Sequence, residues 1–133
     1  MTVDTKRSVS DILVIDDDAI MRDLVADWLE AAGYAVRKAT SCRAWIGQFL
    51  GQQAPALIVT DMFMPGPCGG DAIAKLKKQH PETALIAVPR HFNSGEFTAE
   101  AALAAGADRA LAKPIKRADL IRVVAELVGA PVR

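Results

Sequence analysis

Four charged side chains suited to metal and phosphate chemistry each follow a short apolar run. Asp16 and Asp17 come after the first such run, Asp61 ends another, and Lys113 follows the last. Carboxylates about 4 Å apart repel by ~4 kcal/mol at an effective dielectric near 20, so a cluster needs protonation, a fixed cation or a bound metal. Oxygen ligands without nearby His or Cys favour a hard cation over zinc, and Mg²⁺ with open positions readily accepts a phosphoryl oxygen.

The acidic run over residues 16–18 also has a plainer interpretation. Three aspartates after a strand can form a solvated turn, and Asp is favoured as the N-cap of a following helix. We assign that capping role to Asp18. The hypothesis of a metal site rests on the joint placement of Asp16, Asp17, Asp61 and Lys113 at strand ends, since none of these residues indicates a site alone.

The elements that would position these residues alternate between strands and helices. Short apolar runs without alternation indicate strands buried on both faces of a parallel sheet. The predicted strands cover residues 11–15, 34–39, 57–61, 84–88 and 109–112, and the predicted helices about 19–32, 41–50, 71–79, 99–105 and 117–128. This alternation predicts an α/β fold: a flavodoxin-like, doubly wound, five-stranded parallel sheet of order 2-1-3-4-5 with five helices. Its functional groups should lie at the carboxyl ends of the strands.

Length and composition limit the classes of function. The 133 residues fit one domain, predicted over residues 11–130 after a flexible tail over residues 1–10. Sixteen basic and sixteen acidic residues give no net charge, which argues against direct nucleic-acid binding. Two cysteines make neither a disulfide framework nor a zinc site. No signal peptide or membrane span is evident, so we expect a cytoplasmic protein.

With these residues in view, the chain resembles the receiver domain of response regulators in two-component signalling. The resemblance covers about residues 10–130 and rests on four segments in the expected order. The segments are residues 12–18 (ILVIDDD), 34–36 (YAV), 57–66 (LIVTDMFMPG) and 106–114 (GADRALAKP). Each segment alone is weak, whereas their joint pattern is highly specific.

The resemblance implies a phosphorylation switch. Asp61 would be the phosphoacceptor and would take the phosphoryl group from a phosphohistidine. Mg²⁺, which Mn²⁺ can replace, would be held by the carboxylates of Asp17 and Asp61 and the backbone carbonyl of Phe63, with Asp16 helping through a water. Lys113 would contact the phosphoryl group. The only chemistry implied is Mg²⁺-dependent self-phosphorylation and slow autodephosphorylation, not that of an enzyme.

The chain departs from the family at the switch positions. The hydroxyl residue that normally ends the fourth strand is replaced by Pro89, and the usual aromatic residue of the fifth strand by Ala110. Proline has neither a hydroxyl nor an N–H to donate. We therefore hypothesise that phosphorylation occurs but is relayed differently. Phe63 and His91 are candidate modulators of phosphoryl lifetime, although loop packing for Phe63 and simple surface exposure for His91 are the plainer interpretations.

Two main functions remain open. The first is a single-domain response regulator that receives its phosphoryl group from a histidine kinase or phosphotransfer protein. It would signal to an output protein through the face formed by the fourth and fifth predicted helices (about residues 99–105 and 117–128) and the fifth predicted strand (residues 109–112). Homodimerisation is left open. The second is a pseudo-receiver, a protein-interaction module independent of phosphorylation. A flavodoxin and an aspartate-based phosphatase rank below both. A flavodoxin needs a loop rich in hydroxyls and glycine after the first strand, where this chain is acidic, and an aspartate-based phosphatase would turn over phosphomonoesters, which a receiver does not.

Overall fold

A five-stranded parallel sheet forms the centre of the molecule, with strand order β2-β1-β3-β4-β5. The computed structural model describes residues 11–41, 54–62, 69–89 and 98–131. The strands are β1 (Asp11–Ile15), β2 (Ala35–Ala39), β3 (Leu57–Asp61), β4 (Ala84–Val88) and β5 (Arg109–Ala110). The order matches the flavodoxin-like arrangement predicted from the sequence.

Four helices accompany the sheet in the described part of the chain. They are α1 (Ala19–Ala31), α2 (Gly69–Gln79), α3 (Ala99–Ala105) and α4 (Arg117–Val128). The sequence predicted five helices, and the one expected over about residues 41–50 lies outside the described residues, as does the tail predicted over residues 1–10. Among the described residues, no helix is long and apolar enough to cross a membrane.

Capping residues set the amino-terminal ends of α1 and α3. Asp18 caps α1, since its carboxylate accepts hydrogen bonds from the backbone N–H groups of Ile20 and Met21. Thr98 caps α3 in the same way, with its hydroxyl accepting from the N–H of Ala101. The capping role predicted for Asp18 is confirmed, and it fixes where the acidic loop gives way to helix.

The sheet divides the apolar core into two clusters. Neighbouring residues of a strand point to opposite faces, so Leu13 packs in one cluster while Ile12 packs in the other, and both are fully buried. One cluster lies under α2 and α3, and includes Leu76 and Ala102. The other lies under α1 and α4, and includes Leu29 and Leu120. Burial on both faces explains why β1, β3 and β4 are continuous apolar runs.

Helix α1 exposes part of its apolar sequence. Val25 and Leu29 are buried, whereas Ile20 is 78% exposed and Leu24 38% exposed. A helix turns by about 100° per residue, which puts Ile20 nearly opposite the face formed by Val25 and Leu29. Trp28 is half-buried and packs against the core.

Strand β5 is shorter than the four residues predicted, because regular pairing covers only Arg109–Ala110. The chain nevertheless stays beside β4. The N–H of Leu111 donates to the carbonyl of Ala87 at 2.9 Å, and the N–H of Lys113 donates to the carbonyl of Pro89 at 3.0 Å. These bonds carry Lys113 to the carboxyl end of β4.

Candidate functional site

Three carboxylates converge at the carboxyl ends of two adjacent strands. Asp16 follows β1 directly and Asp61 is the last residue of β3, with Ile15 and Thr60 in register between these strands. Asp16 is 6% exposed and Asp61 3% exposed, whereas Asp17 is exposed. One oxygen from each of the three carboxylates lies within 4.8 Å of the others. The structure thus brings together the acidic residues that the sequence placed at separate strand ends.

Lys113 brings a cation to this cluster. Its ammonium nitrogen lies 3.5 Å from Oδ2 of Asp61 and 3.7 Å from Oδ2 of Asp16. The side chain of Lys113 is largely buried, and the peptide bond between Lys113 and Pro114 is cis. One ammonium group therefore faces both buried carboxylates and offsets part of their mutual repulsion.

Burial, hydrogen bonding and neighbouring charges all act on the pKa of the Asp16 carboxyl. Burial raises the pKa of this carboxyl above its ordinary value, because the charged form loses hydration. The hydrogen bond from the N–H of Asp18 lowers the pKa, while the negative charge of Asp61 raises it. Lys113 lowers it and Asp17 raises it by smaller amounts. Burial and like charge prevail, so the pKa of Asp16 is raised and the charged form of this carboxyl is disfavoured.

Three hydrogen bonds hold the acidic loop in shape. The N–H of Asp16 donates to the carbonyl of Ala39 at 3.2 Å, and Oδ1 of Asp16 accepts from the N–H of Asp18 at 2.9 Å. The guanidinium of Arg22 donates to the carbonyl oxygen of Asp16 at 2.8 Å. The sequence analysis did not single out Arg22. The sequence feature that could have identified Arg22 is its position as a basic residue one turn into the helix that follows the acidic run.

The donor set fits a hard divalent cation. All three ligand groups are carboxylates, and no His or Cys belongs to the acidic group within the described residues. Oxygen ligands of this kind suit Mg²⁺ or Mn²⁺ rather than zinc. The exposure of Asp17 leaves one side of the cluster open to solvent, where water and a phosphoryl oxygen could complete the coordination.

The two atypical switch positions lie in the neighbouring part of the sheet, one directly after β4 and the other in β5. Pro89 is buried and follows β4 directly, one residue after Val88, which is paired in register with Asp61. Ala110 is half-buried and pairs with Ala87 of β4. A proline ring and a methyl group therefore occupy the positions where the sequence comparison expected a hydroxyl and an aromatic ring. Neither side chain can donate a hydrogen bond.

Two further residues named from the sequence lie outside the described residues. These are Phe63, expected to supply a backbone carbonyl to the metal and to limit access of water, and His91, expected to modulate phosphoryl lifetime. Their roles stay predictions.

Comparison with known proteins identifies the family. The family model described as "Response regulator receiver domain" matches residues 12–125, which include Asp16, Asp17, Asp61 and Lys113. The chain belongs to this family. Receiver domains are signalling modules of two-component systems rather than enzymes in the usual sense. They bind Mg²⁺ through an acidic pocket and are phosphorylated on an aspartate.

Similar curated proteins include both a short chain and longer regulators. The chain is 33% identical over 114 residues to an uncharacterized 14.6 kDa protein of Leptolyngbya boryana, covering 86% of each chain. It is 32% identical to the DNA-binding transcriptional regulator NtrC of Rhizobium meliloti, covering 92% of this chain and 25% of NtrC. This chain therefore spans about a quarter of the length of NtrC.

Solved structures share the fold closely. The receiver domain of NtrX from Brucella abortus has a TM-score of 0.79 and 33% identity, with coverage of 88% of this chain and 97% of that domain. A response regulator receiver domain protein from Clostridium thermocellum has a TM-score of 0.78 and 30% identity, with coverage of 89% and 93%.

Proposed function

We propose that this receiver domain accepts a phosphoryl group on Asp61 from a phosphohistidine of a histidine kinase or phosphotransfer protein. The observation that carries the proposal is the convergence of the Asp16, Asp17 and Asp61 carboxylates within 4.8 Å, with the Lys113 ammonium 3.5 Å from Asp61. A nucleophilic carboxylate, two further carboxylates and a cation are the groups that Mg²⁺-dependent phosphoryl transfer to aspartate requires.

The proposed step is an in-line transfer. An oxygen of Asp61 attacks the phosphorus atom, the phosphorus–nitrogen bond of the phosphohistidine breaks, and its electron pair returns to the imidazole nitrogen. Asp16 and Asp17, together with Asp61 and the backbone carbonyl of Phe63, would hold Mg²⁺. Bound Mg²⁺, or Mn²⁺ in its place, would neutralise charge on the phosphoryl oxygens. Lys113, already paired with Asp61, would turn its ammonium to a phosphoryl oxygen once the acceptor carboxylate carries the phosphoryl group as an acyl phosphate.

The proposal includes a readout that differs from the family pattern. Because Pro89 and Ala110 remove the hydroxyl and the aromatic ring of the usual switch, the signal would pass through the segment after Pro89 and through α3. The output face would comprise α3, β5 and α4, where Leu103 is 50% exposed. A cytoplasmic location is a further part of the proposal. Direct nucleic-acid binding is not expected.

The test is intact mass after incubation with a small-molecule phosphodonor and Mg²⁺. We expect a gain of one phosphoryl group that is absent without metal and absent in Asp61→Asn. Asp27→Asn is the matched control, since Asp27 is an exposed aspartate of α1. This variant keeps Asp61 and should still gain one phosphoryl group. No gain in the folded wild type with either a phosphodonor or a cognate kinase would contradict the proposal.

A second candidate function is a pseudo-receiver that binds partners without phosphorylation. Pro89 and Ala110 favour it, because a chain that never switches has no need of the hydroxyl and the aromatic ring. The amide spectrum of the phosphorylated protein separates the two functions. Changes that reach α3 favour a phosphorylation-dependent switch, whereas changes restricted to the immediate neighbours of Asp61 favour the pseudo-receiver.

A further inference from the structure

Arg22 contacts the peptide bond between two of the candidate metal ligands. Its guanidinium donates to the carbonyl oxygen of Asp16 at 2.8 Å. We propose that Arg22 is a positioning residue that holds Asp17 ready to bind Mg²⁺. The inference rests on the proposed function and adds a residue to it that touches neither the metal nor the phosphoryl group.

The planarity of the peptide bond makes this contact effective. The carbonyl of Asp16 and the N–H of Asp17 belong to one rigid plane, so fixing that carbonyl fixes the direction in which the chain enters Asp17. The carboxylate of Asp17 is exposed and faces two further carboxylates, and none of the hydrogen bonds and ion pairs described for residues 11–41, 54–62, 69–89 and 98–131 involves it. Its orientation therefore depends on the backbone, and Arg22 holds the backbone at that point.

Arg22 is itself held by a rigid element. Its backbone N–H donates to the carbonyl of Asp18 at 2.8 Å, which places it one turn inside the capped end of α1. Val25 and Leu29 anchor the same helix in the core. The hydrogen bond from the guanidinium thus fixes the exposed loop that carries Asp17 relative to a helix that is packed in the core.

Electrostatics alone predicts the opposite effect on metal binding. Arg22 is a cation close to the carboxylates, so removing its charge should strengthen the binding of Mg²⁺ if charge were its only influence. A positioning role predicts weaker binding, because removal of a residue that orients a metal ligand typically lowers affinity about 10–100-fold. The sign of the change therefore separates the two explanations.

The experiment is a titration of the full chain with Mg²⁺ in the absence of any phosphodonor. Binding is monitored through the NMR chemical shifts of the backbone amides of residues 16–18. Arg22→Met removes both the charge and the donor while keeping an unbranched side chain. Arg22→Lys keeps the charge and a single donor. Arg122→Met is the matched control: it removes an arginine from α4 whose partners are Asp119 and Glu126. Phosphorylation is then measured at saturating Mg²⁺.

We expect the Mg²⁺ concentration at half-saturation to rise about tenfold in Arg22→Met, to rise less in Arg22→Lys and to stay unchanged in Arg122→Met. Phosphorylation at saturating Mg²⁺ should be close to wild type in all three variants. An unchanged or lower half-saturation in Arg22→Met, with wild type binding normally, would overturn the role of Arg22 alone. Failure of the wild type itself to bind Mg²⁺ would overturn the proposed function as well. Arg22→Lys keeps the test decisive if Arg22→Met does not fold.

Discussion

The backbone N–H of Lys113 donates to the carbonyl oxygen of Pro89 at 3.0 Å. A proline nitrogen cannot donate, but a proline carbonyl accepts normally, so this link between β4 and the lysine survives the replacement of the usual hydroxyl residue. The position of Lys113 beside the acidic cluster is therefore independent of the side chain at position 89. The chain has lost a donor to the phosphoryl group without losing the anchor of its lysine.

Restoring that donor should speed phosphorylation. Pro89→Thr adds a hydroxyl at the carboxyl end of β4, next to the strand that carries Asp61, while the carbonyl that anchors Lys113 remains. One added hydrogen bond contributes about 0.5–1.5 kcal/mol, which corresponds to an increase of roughly 2–10-fold in rate. The initial rate with a small phosphodonor measures this effect. Pro89→Val, which has the shape of Thr without its hydroxyl, is the control, and an equal rate in both variants would show that the hydroxyl has no part.

Mg²⁺ should stabilise the folded protein, and more so when Lys113 is replaced. Lys113→Met removes the ammonium that lies 3.5 Å from Asp61 and 3.7 Å from Asp16, so that less positive charge offsets the repulsion between these carboxylates. The metal-free variant should unfold at a lower temperature than the wild type. Binding at a hundred times the dissociation constant adds about 2.7 kcal/mol to stability. Thermal unfolding with and without Mg²⁺ should show a larger shift in Lys113→Met, and a smaller shift than in the wild type would contradict the model of competing cations.

Removal of the cap of α1 should weaken the whole domain. Asp18→Ala deletes the carboxylate that accepts from Ile20 and Met21, at an expected cost of about 1 kcal/mol in the free energy of unfolding. Asp18→Asn should cost little, because Asn caps a helix about as well as Asp. Denaturant unfolding compares the two variants, and equal losses in both would mean that charge rather than capping matters at this position.

His80 should make stability depend on pH. Burial lowers its pKa below the ordinary 6.5, and the positive charge of Arg37 lowers it further. Above pH 6.5 the imidazole is neutral in both states. As the pH falls below 6.5 the unfolded chain binds a proton that the folded protein binds only at lower pH, so the free energy of unfolding decreases across that interval. His80→Gln should lose this decrease, and parallel stability curves for the two proteins from pH 7 to pH 5 would refute it.

Much of the fold could be predicted because its signals are local. Residues 11–15 and 117–128 have the same bounds in the structure as in the sequence prediction, since apolar runs and neighbouring polar residues mark their ends. The length of β5 could not be predicted, because it depends on how far the chain pairs with β4. The exposure of Ile20 could not be predicted either. Helix α1 carries apolar residues on more than one side, and packing against the sheet determines which side is buried.

Some features of the site could be predicted from the sequence, whereas others depend on contacts between remote residues. The meeting of Asp16 and Asp61 was predictable, because strand ends converge at one edge of a parallel sheet and β1 and β3 are neighbours in this fold. The bond from Arg22 to the carbonyl of Asp16 was not, since it depends on the conformation of a long side chain reaching back from a helix. The placement of Lys113 with the acidic residues was predicted, whereas its distances to them depend also on one backbone hydrogen bond to Pro89, a residue remote in sequence.

The central sheet keeps the two apolar clusters apart. Leu76 belongs to the cluster under α2 and α3, and Leu120 to the cluster under α1 and α4, with the strands between them. Substitutions without shared neighbours usually have additive effects on the free energy of unfolding. Truncations of Leu76 and Leu120 should therefore act independently, each leaving the packing of the other face intact. In evolutionary terms, the apolar residues on one face of the sheet can change without requiring compensating changes on the other.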